Sequence, residues 1–162
     1  VRIDSEPTDA MQVARLIAEY ANGKGYDIIF CGKETIDHNG AVVPAMLAEI
    51  LDCGFVANAT RLDVNGAEAT LVREAAGGEE KVAVTLPLVL SAAKGMAEQR
   101  IPSMRGIMSA RTKPLAVESA SAEGSSRIER FALPPEKGAC KIIDAENAAE
   151  LIRLLHEEAK VI

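Results

Sequence analysis

Three clusters of residues have types and spacing that could do chemistry. The first is Gly32-Lys33-Glu34-Thr35-Ile36-Asp37-His38-Asn39-Gly40-Ala41-Val42-Val43, set between an apolar run and a helical pattern. Gly32 and Gly40 let a ligand approach the backbone, and Thr35 and Asn39 carry groups that bond a phosphate or a ribose. Glu34 and Asp37 would repel phosphate if they pointed inward. Two readings stand, a nucleotide loop or an ordinary strand-to-helix connection. The second cluster is Arg100–Lys113, which carries four positive and no negative side chains in a chain of net charge −6. Arg100, Ile101, Pro102, Ser103, Met104, Arg105, Ile107 and Met108 form its apolar and basic part. A solvated loop accounts for it. So does a docking surface, because apolar side chains ringed by arginine suit an acidic partner and methionine adapts to several. The third is His38 beside Asp37 and near Glu34, a pairing capable of acid–base work. No serine or cysteine nucleophile sits in a recognisable motif, and P-loop and GxGxxG patterns are absent. Catalysis is the least supported of the three.

Cys31, Cys53 and Cys140 are an odd count at irregular spacing, and neither His38 nor His156 stands at a metal-ligand distance in sequence from them. Buried reduced thiols are expected. The 162 residues suffice for one globular domain, with 48% hydrophobic and 26% charged side chains. Acidic net charge argues against general nucleic-acid binding. Aromatics at 3% imply an aliphatic core and no base-stacking platform. No apolar run reaches the ~20 residues of a membrane-spanning helix.

The elements that position these clusters follow from periodicity. Val1–Asp4 reads as a short strand. Thr8 or Asp9 caps a helix marked by Met11, Ala14, Leu16, Ile17 and Tyr20, and Asn22-Gly23 with Gly25 ends it. Tyr26–Cys31 reads as a parallel strand buried on both faces. A helix follows from about Ala41 to Leu51, with Pro44 in its first turn. Phe55–Val64, the Asn65-Gly66 turn, Glu68–Glu74, the Gly77-Gly78 turn and Lys81–Ser91 form an antiparallel meander appended to the α/β layer. Val82, Val84, Leu86, Leu88 and Leu90 share a face of its last strand, and Pro87 places that strand, or its end, on a sheet edge. Glu118–Ser126 is small and polar and reads as a flexible linker. After an extended piece with Pro134-Pro135, Asp144 is expected to cap a helix to about Ala159, its apolar residues wide enough to pack on two surfaces.

These residues resemble the electron transfer flavoprotein β subunit family. Tyr26–Asp37 is similar to the family's strand and its Gly-Lys-Gln-Ala-Ile-Asp loop. Val72-Arg73, Gly77-Gly78 and Leu86-Pro87 are similar to the family signature, with Ala76 where an acid is usual. Arg100–Met108 resembles Arg-Tyr-Pro-Ser-Leu-Arg-Gly-Ile-Met. Asn39–Ala45 departs from the family's Asp-Thr-Ala-Gln-Val-Gly-Pro. The resemblance covers essentially the whole chain, yet the family begins with strands and helices upstream of Val1, including the first central strand. The chain is therefore expected to lack the N-terminal portion and to leave Ile28–Phe30 uncovered.

The resemblance implies an α/β fold with a parallel nucleotide-binding-type sheet (adenine nucleotide α-hydrolase-like), an appended antiparallel meander, and a C-terminal arm ending in a helix. It implies a partial domain over residues 1–117 with a docking loop at 92–114, then a linker and partner-wrapping arm over 118–162. The implied role is electron carriage without substrate turnover, paired with an α subunit that holds most of the FAD. Implied partners are acyl-CoA or related flavin dehydrogenases and a quinone oxidoreductase of the respiratory chain. Implied too are an AMP site at Gly32–Val43, weakened because Val42 and Val43 cannot donate side-chain hydrogen bonds, and an exposed anchor at Met104. A cytoplasmic setting, or the mitochondrial matrix in a eukaryote, goes with it. A stand-alone adenine-nucleotide sensor is the alternative.

Overall fold

A computed structural model describes residues 1–119 and 121–162, which divide into two compact units, Val1–Ile128 and Glu129–Ile162. In the first unit the order is β1 (Arg2–Asp4), α1 (Ala10–Ala21), β2 (Ile28–Gly32), α2 (Val43–Ile50), β3 (Gly54–Asn65), β4 (Glu68–Ala75), β5 (Gly78–Thr85), β6 (Leu88–Ala92), α3 (Met104–Ala110) and β7 (Val117–Ser119). Five strands form one mixed sheet in the order β2-β6-β3-β4-β5, and β1 pairs with β7 in a separate parallel ribbon.

Strand β3 joins the parallel and antiparallel parts. Its first half runs parallel to β6 and its second half pairs antiparallel with β4. A bulge between Val56 and Ala59 makes the change, with Asn58 at φ 56° and its N–H donating to Ser91 Oγ at 2.8 Å. The hydroxyl of buried Ser91 thus satisfies an amide that the ladder releases.

Strand β6 contributes to both hydrophobic clusters of the first unit. Leu88 and Leu90 pack with Val56, Ala59, Ala69 and Leu71 under the curled meander. Val89, pointing the other way, packs against Ala14 and Ala18 of α1 and Leu47 and Ala48 of α2. Alanines at those helix positions let both helices lie close on the sheet.

The α/β reading and the limits expected for α1 and α2 agree with this arrangement. Asp9 caps α1, Pro44 sits in the first turn of α2, and Gly23 and Gly25 follow α1 at φ 72° and 67°. Other expectations need correction. Lys81–Ser91 is two strands, because Pro87 has no N–H to continue the ladder. The chain leaves the edge at β5 and resumes in β6, between β2 and β3, so the strand after Pro87 is interior. Val82, Val84, Leu86, Leu88 and Leu90 nevertheless all enter one cluster. Strand β2 is not buried on both faces. It is the sheet's other edge, and Phe30 is 56% exposed.

The expected flexible linker is ordered where it is described. Val117–Ser119 forms β7, and residues 121–126 lie as a strap along α1, held by the hydrogen bonds given below. Ala120 lies outside the described residues. Small polar residues read as a linker by composition, yet they carry the donors and short side chains that such a contact needs. Cys31 and Cys53 are half-buried and Cys140 is exposed, so the expected burial of all three thiols does not hold.

In the second unit, residues 129–143 have no helix or strand, and α4 spans Ala148–Glu157. Its cap is Asn147, not Asp144. Asp144 instead accepts from Glu146 N–H at 2.9 Å in the turn before the helix. Arg153 pairs with Glu150 at 2.8 Å and Glu157 at 2.7 Å, and these carboxylates raise its pKa. No residue of α4 is buried among the described residues, and Leu151 and Ile152 stay exposed.

Candidate functional site

Helices α1 and α2 flank β2 in the chain, and both begin near its carboxyl end. A cleft of about 560 Å³ opens there, lined from α1 and its approach by Pro7, Thr8, Asp9, Ala10 and Val13. Thr35, Asp37, His38, Gly40, Val42 and Val43 line the opposite side, with Arg127 and Ile128 completing it. Its size falls within the ~300–1,000 Å³ usual for small-ligand sites. Aliphatic Pro7, Ala10, Val13, Val42, Val43 and Ile128 share the lining with polar and charged side chains.

The loop after β2 closes on itself. Thr35 N–H donates to Gly40 O at 2.9 Å, Asn39 N–H to Thr35 O at 3.0 Å, and Gly40 N–H to Thr35 Oγ1 at 3.1 Å. Asn39 takes φ 53°, the left-handed region that asparagine tolerates. A Cβ at Gly40 would press within 3.3 Å of the Thr35 hydroxyl, so glycine keeps this turn tight. The Thr35 hydroxyl and the His38 N–H, which donates to Asp37 Oδ1 at 2.7 Å, hold the Asp37 carboxyl below its ordinary pKa. The bond to Asp37 comes from the His38 backbone, so this contact does not orient the imidazole. Burial raises the Cys31 thiol pKa, which disfavours the reactive thiolate.

The two helix starts differ. Asp9 Oδ1 caps α1 by accepting from Gln12 N–H at 2.7 Å. Val42 gives α2 no side-chain cap, and Pro44 follows in the first turn. Amides of that turn, beginning with Val43, therefore lack a side-chain partner from the cap position.

The structure brings together half of the expected nucleotide loop: Thr35, Asp37, His38, Gly40, Val42 and Val43. Gly32, Lys33, Glu34, Ile36, Asn39 and Ala41 do not line the cleft. Lys33 turns to Glu74 on β4 at 3.5 Å, and Ile36 is fully exposed. Sequence reasoning missed Pro7–Ala10, Val13, Arg127 and Ile128. Asp9 was legible as a helix cap, but nothing marked the Ser125-Ser126-Arg127 run as its neighbour.

The basic segment contains a short helix rather than loop alone. Ser103 Oγ caps α3 by accepting from Gly106 N–H at 3.1 Å. Met104 is 73% exposed, and Ile101, Ile107 and Met108 are exposed beside it.

Fold and cleft together define an α/β protein with a ligand-sized site at the carboxyl end of a parallel strand, where such sheets bind their ligands. The electron transfer flavoprotein domain profile matches residues 3–123, and the chain belongs to that family. An electron transfer flavoprotein subunit beta of Bacillus subtilis is 37% identical, over 98% of this chain and 66% of its own length. One from Syntrophomonas wolfei is 39% identical over 83% of this chain and 54% of its own. One from Mus musculus is 28% identical over 97% and 63%. The chain thus spans between about half and two-thirds of the length of these relatives. The stand-alone sensor finds no support in these comparisons. No helix among the described residues is long and apolar enough to cross a membrane.

Proposed function

We propose that the chain is the β-subunit part of an electron transfer flavoprotein, working as a heterodimer with an α subunit that holds most of the FAD. The observation that carries this is the 37% identity to a named subunit beta along 98% of the chain. Electrons pass through the flavin, when it is bound, from acyl-CoA or related flavin dehydrogenases towards a quinone oxidoreductase. This chain's own residues supply surfaces: a docking face at residues 92–114, anchored by Met104, and a partner-wrapping arm over 118–162. The setting is the cytoplasm, or the mitochondrial matrix in a eukaryote.

The cleft suits an adenine mononucleotide better than a flavin ring. Its donor groups are compact: the first-turn amides of α2, His38 and Arg127. The Thr35 hydroxyl instead donates to Asp37, whose carboxylate also lines the cleft and opposes a phosphate. Arg127 makes no ion pair among the described residues, so its charge is available to a phosphate. Among the described residues no Phe, Tyr or Trp side chain lines the cleft to stack on a ring. The aliphatic Val13, Val42 and Val43 can cover an adenine face. AMP binding is therefore expected but weak, in a nucleotide-binding-type fold.

Co-expression with an α subunit tests the reading. A stable complex carrying a flavin absorbance spectrum and reduced by a dehydrogenase is expected. A chain that stays alone and colourless when the α subunit folds and binds FAD would overturn it.

A further inference from the structure

Asp9 makes more hydrogen bonds than its place as a helix cap requires. Oδ1 caps α1, while Oδ2 accepts from Ser125 N–H and Ser126 N–H, each at 2.6 Å, and from their hydroxyls at 3.0 and 3.1 Å. The strap is fixed on the same side by Gln12 Nε2 donating to Ala122 O at 2.9 Å. Arg15 donates to Glu123 O at 3.1 Å. At Gly124 a Cβ would collide with the Thr8 hydroxyl, so only glycine lets the strap lie this close. With Gln12 N–H first, these donors keep Asp9 ionised far below its ordinary pKa. The next two residues after this grip, Arg127 and Ile128, line the cleft, as Asp9 itself does.

We propose that Asp9 is a positioning residue for the cleft: by gripping Ser125 and Ser126 it sets Arg127 where it meets the phosphate of the bound nucleotide. This rests on the nucleotide reading of the cleft given above. Asp9's negative charge is partly offset by its five N–H and O–H donors, one on α1 and four on the strap, so it opposes the ligand less than a free carboxylate would. The grip also limits where Arg127 can move, so less side-chain and backbone freedom is lost when phosphate arrives.

The test uses the full chain and AMP as probe, titrated calorimetrically to millimolar concentration, with hydrogen exchange followed at Ser125 and Ser126. Asp9→Asn keeps an oxygen for the helix cap, since asparagine caps as well as aspartate. It replaces the strap-facing acceptor with a donor. Asp9→Ser is the second variant should the first fold poorly. The expected result for Asp9→Asn is exchange at Ser125 and Ser126 faster by about tenfold or more, with α1 amides unchanged. AMP binding should weaken with it. Arg127→Ala should weaken AMP about tenfold, the loss of one charged hydrogen bond, while the strap amides stay slow. The double variant should bind AMP no worse than Arg127→Ala, because Asp9 acts through Arg127. Additive losses would overturn the proposal, as would a freed strap with unchanged AMP affinity or a strap that stays protected in Asp9→Asn. A wild-type chain that binds no AMP would instead remove the nucleotide reading, and this role with it.

Discussion

Met104→Ala separates a docking residue from a structural one, because its two expected effects differ in size. The side chain is 73% exposed and follows the Ser103 cap, which the change leaves intact. Little apolar area leaves water when the chain folds around it, so folding should lose less than about 0.5 kcal/mol, as for other surface changes. If Met104 fills a pocket on a dehydrogenase, truncation should cost docking about 2 kcal/mol, the size of an interface anchor. That corresponds to roughly a 30-fold rise in dissociation constant. Leu90→Ala supplies the opposite pattern. Leu90 is 0% exposed, packed with Val56, Ala59, Ala69 and Leu71, and a buried Leu→Ala costs about 2.7–5 kcal/mol. In a chain of this size that lowers the melting temperature by roughly 5–20 °C. The assay is the rate of electron transfer from a flavin dehydrogenase to the α/β complex against dehydrogenase concentration, with thermal melting in parallel. Met104→Ala should raise the half-saturating concentration and melt like wild type. A Met104→Ala protein that melts many degrees lower and docks normally would place the side chain in a core and refute the docking assignment.

Arg105→Gln should slow association and flatten its dependence on salt, as rim charges do, with the complex's dissociation rate little changed; stopped-flow mixing at several ionic strengths reads this. Gly54→Ala should destabilise the first unit by about 1–3 kcal/mol through overpacking. Its Cβ would stand 2.7 Å from Val84 Cγ1, where the start of β3 meets β5. A urea midpoint that falls with an unchanged slope is the expected sign. Asp9 and Asp37 both have lowered pKa values. Their contributions are therefore present above the ordinary aspartate value of ~3.9 and are lost only as pH falls through the lower folded values. Strap exchange at Ser125 and Ser126, corrected for intrinsic rates, should stay flat from neutrality to about pH 4. Loosening between about pH 6 and 5 would contradict the ionised grip.

Local rules found the parts of the fold that local physics decides. The Asp9 cap, the Asn22-Gly23 stop, Pro44 in a first turn and the Asn65-Gly66 hairpin each depend on a few neighbouring residues. Strand order did not yield to the same rules. Alternation put Val82 through Leu90 on one face, and that face is common to both strands. Alternation is blind, however, to which neighbour a strand chooses. At Pro87 the chain changes neighbour, from β4 beside β5 to β2 and β3 beside β6. The same limit explains β2, whose apolar run suits a covered strand but which lies at an edge among the described strands.

The cleft shows why a site can be half legible. Its loop half, Thr35 to Val43, is contiguous and flanked by a strand and a helix, so spacing alone raised it. Its other half joins Asp9 to serines 116 and 117 residues away. No periodicity links positions so distant, and the strap's composition pointed the other way. Small residues lose much chain entropy on ordering, which is why such runs read as linkers. They are also the residues that let a backbone lie against a helix and turn its N–H groups to a single carboxylate, as Gly124, Ser125 and Ser126 do. A lone acidic cap followed far downstream by Gly-Ser-Ser and a basic residue is thus a pattern with two outcomes. Only the three-dimensional placement of α1 beside the strap decides between them. That placement rests on the helix packing through Ala14 and Ala18 onto Val89. The grip of Asp9 on the strap, and the position of Arg127 at the cleft, therefore depend on the hydrophobic core as much as on the loop itself.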